Sequence, residues 1–301
     1  MHLSTFYIPL LALGGFAKAT QHSKLKCKFS GVTVFGDSLS DNGSPPGSAW
    51  YLSNHTLPAD PNYYNSTARR WSNNVVWTEI LAASLGVPLT DYAIGGATSD
   101  SSLVPDAPSN ELFVVLIGIN DALITAQSNL NPAATHTNET ELAGASIAAI
   151  EKIVSGLEKQ GAKNFLLALY PDVSRAPIIT SLAAYPTAAT DVKEYLTALN
   201  SLTLAFYKKL KKTSGVHVSI GDFYSRFNTI LDNPEAAGFS SGASVPCVVG
   251  TYGQPGYSLC STDPTQQDTY LFWDHVHPTK NGHQIIAEVA YAGLAATYGV
   301  L

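Results

Sequence analysis

The sequence has only three cysteines in 301 residues, no C-x2-C pair, and no apolar run long enough for a membrane helix. Without C-x2-C spacing, a cysteine-held metal centre has no foundation. With no segment of 18 or more apolar residues, integral membrane association is not expected. Charge is also scarce. Asp, Glu, Lys and Arg make up 13% of the chain, with 17 basic against 23 acidic residues and a net charge of -6. The one dense basic run, Lys208, Lys209, Lys211 and Lys212, closes a helical pattern, where cations complement the helix dipole. Nothing calls for a polyanionic partner, so nucleic acid is not expected. There is no internal repeat and no Ser/Thr/Pro-rich linker.

The 45% of hydrophobic residues is normal for a globular core, and the length suits one large α/β domain. At the N-terminus an apolar stretch from Phe6 to Gly15 is followed by Ala17-Lys18-Ala19 and then by polar residues. This is the layout of a secretory signal peptide, and its apolar core is too short for a bilayer of roughly 30 Å. The expectation is a signal peptide at 1–19, a single domain at 20–301, and a secreted, soluble, monomeric protein. Four sequons agree with export, at Asn42, Asn54, Asn65 and Asn138. The last three are the expected glycosylation sites. In an oxidising compartment Cys247 and Cys260, close together in a Gly/Pro-rich loop, are the expected disulfide pair, leaving Cys27 over.

Short apolar runs alternate with helical patterns. Residues 32–36, 112–118, 164–170 and 216–220 read as strands buried on both faces, as a parallel sheet requires. Residues 75–85, 142–157, 191–210 and 284–298 carry helical spacing. The alternation predicts a doubly wound α/β sandwich. Two long irregular stretches, 44–70 and 234–270, are of a length that usually carries function.

The first strand runs into Asp37-Ser38-Leu39-Ser40-Asp41, which puts Ser38 at the carboxyl end of a strand, where open α/β sheets bind ligands. A serine hydroxyl needs a base within hydrogen-bond reach and a third group to orient that base. Asp274-His275-Val276-His277, near the other end of the chain, supplies both, because an Asp three residues before a His can fold back onto its ring. Oxyanion donors are available at Gly95-Gly96 and at Gly118-Ile119-Asn120-Asp121. The blocks FGDSLSDNGS, YAIGGATS, GIND and DHVHP, in this order from Phe35 to Pro278, resemble the GDSL or SGNH hydrolase family.

That resemblance implies a three-layer α/β/α flavodoxin-like fold and a triad of Ser38, Asp274 and His277. It also implies an oxyanion hole of the Ser38 and Gly96 amides with the Asn120 side chain, and no cofactor or metal. Arg70-Trp71-Ser72-Asn73 and Phe272-Trp273-Asp274 further resemble the subgroup of fungal acetylesterases, plant GDSL lipases and bacterial thermolabile haemolysins. Asn42 departs from the Thr frequent there. The implied function is a secreted serine ester hydrolase that removes acetyl groups from plant cell-wall carbohydrates. The alternatives are hydrolysis of lipid or lysophospholipid esters and, from another class, a binding protein on an inactive scaffold.

Competing readings are weaker. His275 and His277 form an H-x-H, but no second cluster completes a zinc site. Gly238-Phe239-Ser240-Ser241-Gly242 matches a nucleophile elbow yet lacks the preceding strand. Asp37 reads as a cap or brace of the nucleophile turn, Asp41 as structural, Gly95 as a turn residue and Asp121 as a helix cap. His217 and His283 read as satisfied packing histidines. Trp50, Tyr51, Tyr63, Tyr64 and Trp71 either line a groove or anchor loops.

Overall fold

The computed structural model describes residues 24–43, 70–99, 108–129, 138–182, 185–240, 244–250 and 255–301. The expected signal peptide, the sequons at Asn54 and Asn65, and Trp50, Tyr51, Tyr63 and Tyr64 lie outside these residues.

In chain order the main elements are β1 (Val32–Gly36), α1 (Trp77–Leu85), β2 (Leu89–Asp91), β3 (Leu112–Leu116), α2 (Ile119–Asn129), α3 (Glu139–Lys159), β4 (Asn164–Leu169), α4 (Tyr185–Leu210), β5 (His217–Asp222), α5 (Phe223–Asp232), β6 (Val248–Val249), β7 (Ser258–Leu259) and α6 (Lys280–Tyr298). The first five strands form one parallel sheet in the order β2-β1-β3-β4-β5. Strands β1, β3 and β4 are buried along their whole length. Their continuous apolar composition therefore fits a sheet covered on both faces. Helices α2, α3 and α4 pack on one another over one face, and α1, α5 and α6 share the other. This is the expected α/β/α sandwich, and its strand order is the flavodoxin-like one, with its topological switch between β1 and β3.

The differences from the sequence expectation have physical causes. Strand β2 has three residues and is only partly buried, too short to show a period. Helix α2 begins within three residues of the end of β3, so the apolar run of the strand hides its start. The 234–270 stretch is less irregular than expected, since it carries the β6–β7 hairpin and a short helix at Pro264–Gln267. The hairpin is closed by the expected disulfide between Cys247 and Cys260, and Cys27 is a free, half-buried thiol. Asn138 is exposed and caps α3, its side-chain oxygen accepting from the Glu141 amide at 3.0 Å.

His217 is not the packed histidine expected of a strand interior. It opens β5 and is exposed, its ring 5.8 Å from that of Tyr298. His283 is packed but not satisfied. It is fully buried in α6, and neither ring nitrogen has a hydrogen-bond partner among the described residues.

Helix α6 lies so close to β5 that a Cβ on Gly293 would sit 2.3 Å from the Ile220 carbonyl oxygen. Gly293→Ala must lift the helix from the sheet, and overpacking of this kind costs about 1–3 kcal/mol. Thermal unfolding followed by circular dichroism is expected to show a Tm lower by several degrees. An unchanged Tm contradicts the packing described.

Candidate active site

Strand β1 ends at Gly36 and the chain turns through residues 37–40, presenting Ser38 between β2 and β3 at the carboxyl edge of the sheet. Asp37 holds this turn. Its Oδ1 accepts from the Leu39 amide at 3.0 Å, and its carbonyl accepts from the amides of Ser40 and Asp41. It braces the turn, and no helix follows among the described residues.

Across the site, the segment before α6 folds back on itself. Oδ1 of Asp274 accepts from the amides of Val276 and His277 at 2.8 Å each, and Oδ2 accepts from His277 Nδ1 at 2.7 Å. This fixes the ring so that Nε2 lies 2.8 Å from Ser38 Oγ. Both Asp274 and His277 are buried, which limits competition from water. Pro278 lies just before α6 and does not open it. It bridges to Phe272, and Thr279 caps α6.

The remaining candidate oxyanion donors come from two further segments. Gly96 has φ +80, a conformation that favours glycine, and its amide, like that of Ser38, has no hydrogen-bond partner among the described residues. Asn120 lies in the first turn of α2. Its Nδ2 donates to the Ala97 carbonyl at 2.9 Å, which orients the amide group and leaves its second N–H.

Gly95 is not a donor, because its amide is taken by Asp41 Oδ2 at 2.8 Å. Asp41 thus ties the nucleophile turn to the Gly95-Gly96 loop. Asp91 ties it again, accepting from the amides of Asn42 at 3.1 Å and Ala93 at 2.9 Å. Asp121 does not cap α2, since the helix begins two residues earlier. Its carboxylate accepts instead from the amide and hydroxyl of Ser99, pinning the far end of the same loop.

The Arg70-Trp71-Ser72-Asn73 block is explained by what it touches. Trp71 stacks 5.3 Å from the His277 ring, and a Cβ on Gly95 would meet its indole nitrogen at 2.4 Å. Ser72 donates to the Pro278 carbonyl, and Asn73 accepts from the Lys280 amide. Arg70 pairs with Glu79, which also accepts from the Val76 amide at the start of α1. Sequence reasoning had left Trp71 between groove and anchor; it walls the site. Ser240 lies elsewhere, its amide bonded to the Thr269 carbonyl.

Burial loads this site with reluctant charges. Asp37 is pushed up to about 7 by desolvation, opposed by the Leu39 amide and His277 and reinforced by Asp121. One of its oxygens, Oδ2, has no hydrogen-bond partner among the described residues. Asp91 is held well above the usual carboxylate range by burial, with Asp41 adding to the effect. His283 is pulled down to about 3, again by desolvation, and stays neutral.

The sequence model of the GDSL-like lipase/acylhydrolase family matches residues 32–290. The chain is 27% identical to the thermolabile hemolysin of Vibrio parahaemolyticus over 85% of its own length, but it spans only 62% of that protein. It is 27% identical to an acetylesterase of Thermothelomyces thermophilus, covering 95% of both chains. It is 24% identical to a phosphatidylcholine-sterol acyltransferase of Aeromonas hydrophila, covering 96% of this chain and 97% of that one.

The raised Asp37 gives a signed pH dependence. The fold favours the protonated carboxyl, so the contribution of Asp37 to stability is fully present below the ordinary value of 3.8 and is lost as pH rises toward 7. The full effect is on the order of 4 kcal/mol at about 1.36 kcal/mol per unit. Asp37→Asn keeps the oxygen that accepts from Leu39 and cannot ionise. Urea unfolding from pH 4 to 7 is therefore expected to show the stability of the variant rising relative to that of the wild type as pH increases. Parallel curves contradict the assignment.

Proposed function

Since this chain belongs to the GDSL-like lipase/acylhydrolase family, we propose that it is a secreted serine carboxylic ester hydrolase with Ser38 as nucleophile. The observation that carries this reading is the unbroken hydrogen-bonded chain from Asp274 through His277 to Ser38. With the hydrogen of the imidazole on Nδ1 and held by Asp274, Nε2 is the free base. It accepts the Ser38 proton as Oγ attacks the ester carbonyl. The oxyanion that forms takes the Ser38 and Gly96 amides and the second N–H of Asn120. The protonated His277, stabilised by Asp274, returns its proton to the leaving alcohol. Water then repeats the cycle on the acyl-enzyme.

For the substrate we take an acetyl ester of a carbohydrate. The similarity to the acetylesterase, which covers 95% of both chains, supports a short acyl group. Export is supported by the apolar N-terminal segment, the disulfide and the exposed sequon at Asn138, whose capping oxygen leaves the amide nitrogen for a glycan.

Initial rates on p-nitrophenyl acetate, butyrate and octanoate test both levels of this reading. The wild type is expected to show kcat/KM falling from acetate to octanoate, because each methylene that must be forced in costs about 1–3 kcal/mol. Ser38→Ala is expected to lose on the order of a thousandfold or more on every ester with an unchanged Tm. Rising rates with chain length reject the acetyl ester, and substantial turnover by Ser38→Ala rejects the nucleophile.

A further inference from the structure

The β6–β7 hairpin sits against the segment that delivers the acid and the base. Its strands are only two residues long and pair antiparallel, Val248 with Leu259 and Val249 with Ser258. A ribbon this short is marginal on its own, and the Cys247–Cys260 disulfide closes it. From the hairpin, the Cys247 amide donates to the Phe272 carbonyl at 3.0 Å and the Val248 amide to the Trp273 carbonyl at 2.7 Å. The Trp273 side chain is buried against Cys247 and Val248, with Tyr257, Leu259, Cys260 and Tyr270 around them. Asp274 is the next residue. The Trp273 amide donates to the His277 carbonyl at 2.7 Å, so the same residue closes the turn that carries the base.

We propose that the disulfide-closed hairpin positions the acid–base segment, holding the Phe272-Trp273 backbone so that Asp274 stays within hydrogen-bond reach of His277. This rests on the reading that Ser38, His277 and Asp274 carry out catalysis. The far side of the segment has its own anchors: the Ile178 amide on the His275 carbonyl, and the Thr279 amide and hydroxyl on the carbonyls of Leu271 and Tyr270. Opening the hairpin therefore loosens Asp274 without releasing the whole turn. Small misplacement of a catalytic group lowers turnover by up to about 100-fold, while substrate binding, which does not involve the hairpin contacts, changes little.

The test compares the full-length disulfide-bonded protein with the same protein treated with tris(carboxyethyl)phosphine. The S–S bond breaks, both sulfurs leave as thiols, and the phosphine becomes its oxide with an oxygen from water. Rates on p-nitrophenyl acetate are read over a range of substrate concentrations, with far-ultraviolet circular dichroism as the check on folding. The expected result is a kcat lower by about 10- to 100-fold and a KM within about twofold.

If reduction unfolds the protein, Trp273→Ala with the disulfide intact decides instead. It is expected to show the same signature, and Trp273→Phe, which keeps the ring packing, to restore most of the turnover. An active oxidised enzyme whose reduced form, or whose Trp273→Ala variant, keeps its kcat overturns the positioning role. An oxidised protein with no ester hydrolysis overturns the catalytic reading itself.

Discussion

The hydrogen bond between Ser38 and His277 joins residues 239 positions apart. One comes from the turn after the first strand and the other from the segment before the last helix. Neither segment has any intrinsic reason to approach the other. The parallel sheet brings the carboxyl ends of its strands to one edge, and α6, packed on β5 and α1, returns the end of the chain to that edge. The rest of the site follows from the need to hold two loops at this fixed separation.

Buried carboxylates do most of that holding. Asp37, Asp41 and Asp91 each accept backbone amides, and Asp41 and Asp91 cross from the nucleophile turn to the Gly95-Gly96 loop. Hydrogen bonds to charged groups are stronger than neutral ones, but burying a carboxylate is unfavourable unless it is fully paired. Asp37 and Asp91 show the consequence in raised pKa values. Neutral His283 in the same region loads the balance the other way, since the unfolded chain protonates it and the folded chain does not. The protein thus gives up stability in both directions of pH around a rigid site, as expected where pre-organisation takes precedence over stability.

Much of this was legible in the sequence, for identifiable reasons. Continuous apolar runs mark β1, β3 and β4 because those strands are buried on both faces. Asp274 and His277 could be paired because a three-residue separation fits one turn, and the structure places them at 2.7 Å. What stayed hidden depended on distance along the chain or on packing. The Asp41–Gly95 bond spans 54 residues, and nothing in either residue announces the other. Trp71 carries no local sign that it will lean on His277. The burial of His283 and the hairpin contacts to Phe272 and Trp273 exist only once the layers close. The short β2 and the start of α2 lacked the length and polarity contrast on which periodicity depends.

The central claim is that the hydrogen-bonded chain of Asp274, His277 and Ser38 makes one serine hydroxyl nucleophilic. Labelling with a fluorophosphonate followed by peptide mass mapping tests it most directly, since the reagent needs an activated hydroxyl rather than an exposed one. The account predicts one phosphonyl group per chain, on the peptide containing Ser38, and its loss in His277→Ala. Labelling at Ser240 or another serine, or no labelling of the folded protein, would contradict it.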